Sequence, residues 1–224
     1  MKKYFVVLLL LSFTIIAQRS QFNYFDQSKS LSGITKLSST NLSYTGNALE
    51  ILKWNDNAGQ NTLILSLTNK IPKGESYGEE YYDKELYIYH YIKDANGNTK
   101  LSRKIEDNIR DCPFDITLEF IKNSLTITDL DKNGYTEISV LYKLCCRSDV
   151  SPSDMKLMML EKGNKYALRG SMIVDIIPQP ELQQYIDEYG WGKYKIDSAF
   201  NNANSKFLKF AKQQWEKFKY ESFD

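Results

Sequence analysis

The chain has 224 residues, with 29 lysines and arginines against 28 aspartates and glutamates, so its formal net charge is +1. A chain this close to neutrality has no broad basic surface, which argues against a nucleic-acid-binding protein and against electrostatic attachment to anionic membranes. Its three cysteines and single histidine do not have zinc-ligand spacing, so a zinc site is not supported either.

The N-terminus has the features of an export signal. Lys2 and Lys3 precede the uncharged run YFVVLLLLSFTIIA, and Ala17 offers a cleavage point. The run is shorter than the roughly 20 apolar residues that span a bilayer, and no later run is long enough to do so. We therefore predict a signal peptide at residues 1–17 and an exported product, residues 18–224, in the periplasm, at the outer surface or outside the cell. An uncleaved N-terminal anchor is the alternative.

From Ala48 onward most segments have the pattern of β-strands. ALEILKW and NTLILSLT flank the turn-forming residues NDNAGQ, which predicts a hairpin. ELYIYHYIK alternates, with His90 among aliphatic residues on one face and Tyr87, Tyr89 and Tyr91 on the other. We interpret His90 as a core residue and the tyrosines as a face covered by the C-terminal helix. The alternatives are a catalytic histidine and a platform that stacks sugar rings.

The later segments complete the predicted fold. DCPFDITLEFI, SLTITDLD and YTEISVLYKLCC predict three strands, and KLMMLEKGNKYALRG predicts a hairpin. In residues 204–220 the apolar side chains recur at three- and four-residue spacing, which predicts an amphipathic helix; they are Phe207, Leu208, Ala211, Trp215 and Phe218. Successive strands followed by a helix indicate the α+β class: an antiparallel, β-rich single domain with a C-terminal helix.

The cysteines of an exported chain are candidates for a disulfide. Cys145 and Cys146 are adjacent, so in a strand they point to opposite faces and only one of them can face Cys112. Cys146 has the same parity as the apolar residues Ile138, Val140, Tyr142 and Leu144. We therefore predict a Cys112–Cys146 bridge, with three reduced thiols as the alternative.

The stretch TDLDKNGYTEISV contains a candidate calcium loop. Its oxygen-bearing residues and its glycine match positions 1, 3, 5, 6, 7 and 9 of the EF-hand loop; they are Asp129, Asp131, Asn133, Gly134, Tyr135 and Glu137. In that pattern Asp129, Asp131 and Asn133 would contribute side-chain oxygens and Tyr135 its backbone carbonyl, while Glu137 would bind directly or through a water. Position 12 is Val140, so the bidentate glutamate is missing and Ca²⁺ affinity should be weaker. The alternative is a metal-free Asp-Lys-Asn-Gly turn, although clustered carboxylates repel one another when unpaired.

The sequence favours a non-enzymatic protein. It has no nucleophile elbow, no HExxH zinc motif, no P-loop and no dinucleotide-binding glycine turn. The cluster YGEEYYDKE contains several carboxylates, but glycosidase carboxylates must be held at a set separation, and this segment resembles an exposed acidic loop.

Several segments together resemble a known family. KWNDNAGQNTLILS, DCPFDITLEFI, TITDLDKNGYTEISVLYKLCCRSDVSPSDMKLMM, KYALRG and FLKFAKQQWEKF are similar to exported proteins of Bacteroidetes that are loosely labelled surface-polysaccharide-biosynthesis proteins. The resemblance implies a role in surface polysaccharide or lipopolysaccharide production, and through it in virulence, but no catalytic residues. DLDKNGYTEI alone is similar to the calcium loops of FG-GAP repeats, which strands also flank.

Three hypotheses follow for the function. The first is a calcium-braced exported protein that binds surface glycan or cell-envelope proteins. The second is a periplasmic inhibitor or immunity-type protein acting on a peptidoglycan hydrolase, with Tyr81 and Tyr82 in a protruding loop. The third is an enzyme acting on polysaccharide.

Overall fold

The computed structural model describes residues 24–76, 78–178 and 180–223. The predicted signal peptide, residues 1–17, lies outside these ranges. Neither α-helix in the described ranges is long and apolar enough to cross a membrane.

The described residues form fourteen strands and two α-helices. The strands of the first half are β1 (Thr35–Lys36), β2 (Asn47–Asp56), β3 (Gly59–Leu67), β4 (Ile71–Ser76), β5 (Glu79–Lys93) and β6 (Thr99–Cys112). Those of the second half are β7 (Asp115–Phe120), β8 (Thr126–Thr128), β9 (Glu137–Arg147), β10 (Asp154–Glu161), β11 (Asn164–Ser171), β12 (Ile173–Val174), β13 (Tyr194–Ile196) and β14 (Tyr220–Glu221). The helices are α1 (Glu181–Tyr189) and α2 (Ser205–Phe218), and residues 27–29 and 198–202 form short 3-10 helices.

The strands assemble into two six-stranded antiparallel sheets, so the predicted antiparallel, β-rich architecture is confirmed. The first sheet has the order β1-β2-β3-β5-β4, with β6 along the other edge of β5. The second has the order β13-β11-β10-β9-β7, with β8 beside the start of β9. β12 and β14 form a separate short parallel pair.

The two sheets pack face to face around a central core. The first sheet contributes Leu52, Trp54, Leu63, Leu65, Leu86, Ile88 and Ile105, and the second contributes Leu118, Phe120, Ile127, Ile138, Val140, Tyr142, Met158, Leu160 and Ala167. Strand alternation explains this division, because every second side chain of β9 points into the core while Leu141 points away from it.

The outer face of the second sheet is covered by α2 and the 3-10 helix at residues 198–202. Asn204 caps α2 by accepting a hydrogen bond from the Lys206 backbone N–H, and the helix buries Phe207, Ala211 and Trp215. Trp215 Nε1 donates to the Gly192 carbonyl at 2.9 Å. This contact ties the helix to the turn that leads into β13.

The tyrosine face of β5 belongs to the first sheet, so the expectation that the C-terminal helix covers it is wrong. It is covered instead by the segment between β1 and β2, through Leu37, Leu42 and Tyr44. Tyr91 OH donates to the Ser43 carbonyl at 2.6 Å. The helix follows β13 in the chain and packs on the outer face of the second sheet, in one apolar cluster with Leu141, Leu157 and Met159.

The predicted disulfide is confirmed: Cys112 and Cys146 are bonded, with their Cα atoms 5.9 Å apart. Cys112 ends β6 of the first sheet and Cys146 lies near the end of β9 in the second, so the bond joins the two sheets. Cys145 points to the opposite side of β9 and is a free, half-buried thiol.

Candidate metal-binding loop

The acidic loop, residues 129–136, connects β8 to β9. These strands are antiparallel neighbours, with Thr128 paired with Glu137, so the loop closes a hairpin at the edge of the second sheet. It also contacts the β2–β3 turn of the first sheet. The Asn57 N–H donates to the Gly134 carbonyl at 2.8 Å, and the Thr136 hydroxyl donates to Asp56 Oδ2 at 2.7 Å. The loop therefore bridges the two sheets.

The loop favours glycine at position 134. Gly134 has φ of +78°, and a Cβ atom there would lie 2.0 Å from Asn57 Nδ2. The left-handed backbone makes a larger residue costly, and the exposed Asn57 side chain would have to move to admit one. The backbone conformation thus explains the glycine at this position independently of calcium binding.

The loop brings three of the predicted ligands together. One carboxylate oxygen each from Asp129, Asp131 and Glu137 lies within 4.8 Å of those of the other two. The backbone curls around them: the Asn133 N–H donates to Asp129 Oδ1 at 3.0 Å and to Asp131 Oδ1 at 3.2 Å. The Gly134 N–H donates to Asp129 Oδ2 at 3.1 Å. The three acids therefore share a common centre.

Glu137 is the buried member of this cluster, with no exposed surface. Its Oε2 atom accepts hydrogen bonds from the Leu130 N–H at 2.8 Å and the Thr128 hydroxyl at 3.1 Å. Its Oε1 atom is buried and has no hydrogen-bond partner. Burial, reinforced by the charges of Asp131 and Asp129, raises the pKa of Glu137 to about 7. A buried carboxylate oxygen without a partner is costly, and a cation is one group that would satisfy it.

Asn133, another predicted ligand, makes side-chain hydrogen bonds that do not aim its amide oxygen at the centre. Asn133 Nδ2 donates to Asp131 Oδ2 at 3.1 Å and to Glu161 Oε1 at 3.0 Å, while its Oδ1 accepts from the Tyr135 N–H at 2.8 Å. The amide group would have to rotate to offer oxygen to an ion. The Tyr135 ring lies 4.1 Å from Lys162 Nζ.

The structure adds one acid that sequence reasoning missed. Glu161 ends β10, and it approaches the loop because Leu160 pairs with Ile138 one residue beyond Glu137. The β9–β10 register was the signal that could have identified it. Val140, at position 12 of the pattern, is buried in the central core and cannot act as a ligand.

His90 lies apart from the acidic loop, in the central layer, and its interpretation as a core residue agrees with its surroundings. Its ring stacks on Trp54 with centroids 5.9 Å apart, and Nε2 lies 2.8 Å from Asn61 Oδ1. Burial lowers its pKa to about 4, although Asp56 opposes the shift. The ring is therefore neutral at physiological pH.

Taken together, these features define an antiparallel two-sheet protein with one acidic hairpin loop whose oxygen donors suit a hard divalent cation. Comparison of the chain with protein-family models, curated proteins and solved structures finds no match.

Proposed function

We propose that this chain is an exported protein that binds one Ca²⁺ ion in the loop at residues 129–137. The supporting observation is the buried, unpartnered Oε1 of Glu137 in a carboxylate that shares a centre with Asp129 and Asp131. A tight turn between strands does not need a third, buried acid, whereas a cation requires several converging oxygens. Ca²⁺ fits better than Mg²⁺ because it accepts six to eight oxygens in flexible geometry, and carbonyls or water can complete the set.

The ion would have a structural role. The loop already contacts the β2–β3 turn through Asp56 and Asn57, so an ion that fixes its conformation would also fix the contact between the sheets. No open coordination position or substrate groove is needed for this role. It accords with the non-enzymatic interpretation of the sequence.

We further propose that the protein acts in the cell envelope, in surface polysaccharide or lipopolysaccharide production, by binding glycan or envelope proteins. The Cys112–Cys146 bond supports an oxidising compartment. The polysaccharide role comes from the family resemblance of the sequence.

Calorimetry with CaCl₂ tests the metal site. We expect one bound ion, and at least 100-fold weaker binding in the Asp129→Asn/Asp131→Asn variant, because two of three carboxylates are lost. At a Ca²⁺ concentration 100 times Kd, the free energy of unfolding should rise by about 2.7 kcal/mol.

The control variant is Asp115→Asn/Asp175→Asn, which removes the same charge from two exposed positions outside the loop. It should bind Ca²⁺ as the wild type does. Equal heats from the wild type and the loop variant would refute the site.

One observation favours the second candidate function, inhibition of a peptidoglycan hydrolase. All of β4 is exposed, and in the sheet it pairs only with the first part of β5. In the hairpin formed by β4 and β5, Glu75 is paired with Glu80, and Tyr81 and Tyr82 come next along β5. Like charges that face each other across a strand pair are destabilising. An exposed hairpin that carries facing acids and tyrosines is therefore better suited to inserting into a partner protein than to stabilising the fold.

A deletion strain separates the two functions. Altered lipopolysaccharide banding with normal lysozyme sensitivity is expected if the protein acts in glycan production. Raised lysozyme sensitivity with normal banding would support the inhibitor. A strain unchanged in both assays would contradict both.

A further inference from the structure

A groove of about 480 Å³ lies at the end of the second sheet opposite the acidic loop. β10 connects the two regions, because it begins at Asp154 in the groove and ends at Glu161 beside the loop. The groove is formed by the start of β10, the end of β11 and β13. It is therefore separate from the proposed calcium site.

A row of cations crosses the floor of this groove. Lys156 on β10 is paired with Arg169 on β11, and Arg169 is paired with Lys195 on β13. Lys193, two residues before Lys195, also lines the groove, whereas Asp154 is the one acid among the lining residues. Like charges on directly opposed strand positions destabilise a sheet, so this row has an energetic cost that an anionic ligand would offset.

The fold neutralises only part of the row. Lys156 forms an ion pair with Asp107, and Arg169 lies 3.4 Å from Asp197 Oδ2. Lys193 and Lys195 are exposed, and among residues 24–76, 78–178 and 180–223 neither has an ion-pair partner. Two unpaired cations thus remain available beside two that are already fixed in position.

An exposed aromatic cluster adjoins the groove. The Tyr185 ring lies 5.6 Å from Tyr189 and 4.7 Å from Trp191, measured between centroids. Tyr189 is 62% exposed. Gly190, between Tyr189 and Trp191 in the chain, lines the groove itself, so the backbone of the aromatic cluster continues into the groove wall. Exposed rings in mutual contact beside cations provide apolar surface for a ligand's rings and positive charge for its anionic groups.

We propose that the groove binds an acidic polysaccharide, with uronate carboxylates paired to Lys193 and Lys195 and sugar rings against Tyr189. The inference rests on the proposed role in surface glycan but not on the calcium loop. A polyuronate fits better than nucleic acid, because a chain of net charge +1 with four local cations lacks the extended basic path that a polynucleotide follows.

Binding of fluorescent polygalacturonate oligosaccharides to the purified protein, in low salt with EDTA, tests the site. The Lys193→Gln/Lys195→Gln variant should bind about tenfold more weakly, as expected for the loss of two exposed ion pairs. Lys209→Gln/Lys212→Gln removes the same charge from exposed positions on α2 and should bind as the wild type does. Tyr189→Ser should weaken binding by a factor that does not change with salt.

Three results would overturn the proposal: no binding of polygalacturonate by the wild type, equal weakening in both lysine variants, or equal binding of neutral dextran. Tighter binding of oligo(dT) would assign the groove to nucleic acid instead. EDTA removes calcium from every sample. A failure to bind polygalacturonate would therefore not bear on the proposed calcium site, which the calorimetric titration tests.

Discussion

Replacing Cys112 and Cys146 together by alanine is expected to lower the free energy of unfolding by about 4 kcal/mol. The bond closes a loop between residues 34 positions apart, so its loss frees the unfolded chain to sample many more conformations. It also removes the covalent link between β6 and β9. Urea denaturation of the oxidised wild type and of the double variant measures the difference.

The control is Cys145→Ala, which removes the free thiol and should change stability by less than about 1 kcal/mol, because a half-buried side chain away from the central core loses few contacts. The double variant is used because a single replacement would leave a thiol able to pair with Cys145. A double variant as stable as the wild type would show that the bond does not restrain the fold.

The second large effect concerns pH. Without Ca²⁺, the wild type is expected to lose about 3 kcal/mol of stability relative to the Glu137→Gln variant between pH of about 4.5 and about 7. The comparison with the variant is needed because the lowered pKa of His90 acts in the opposite sense over a similar range and is common to both proteins. Burial raises the pKa of Glu137 from 4.5 to about 7, so between these values the folded protein holds a proton that the unfolded chain has released. This contribution is fully present below pH 4.5 and is lost as the pH rises through 7.

The Glu137→Gln variant should lack the Glu137 contribution, since its amide does not titrate, and should keep the opposite contribution of His90. Glu119→Gln, at an exposed side chain, should keep the wild-type profile. Saturating Ca²⁺ should also remove the Glu137 contribution from the wild-type curve, because the ion replaces the proton. Thermal unfolding between pH 4 and 8 measures all four curves. Superimposable calcium-free profiles for the wild type and Glu137→Gln would contradict the proposed environment of Glu137.

Local pattern predicted the strands and the disulfide because both depend on the two-residue alternation of a strand. The parity that placed Cys146 with Val140 and Tyr142 in sequence also places their side chains toward the first sheet. The acidic triad was likewise predictable, because all three residues belong to one short loop.

The features that sequence reasoning missed depend on register between distant segments. Glu161 approaches the loop only through the pairing of β9 with β10, and Lys156 meets Arg169 and Lys195 only through pairing across three strands. The incorrect prediction that the C-terminal helix covers the tyrosine face has the same origin. Nothing in the periodicity of residues 204–220 indicates which of two apolar sheet surfaces the helix will choose.

β9 is connected to the first sheet near both of its ends. The acidic loop before its first residue hydrogen-bonds to the β2–β3 turn, and Cys146 near its last residue is bonded to Cys112. The covalent connection needs an oxidant, and the proposed calcium ion, without a bidentate glutamate, would need the high calcium concentration that weak extracellular sites use. Before the disulfide forms, the two sheets would be joined by apolar packing and by polar contacts such as those of Thr136 with Asp56 and of Lys156 with Asp107. If the chain is exported as we propose, the Cys112–Cys146 bond would add its restraint only after translocation.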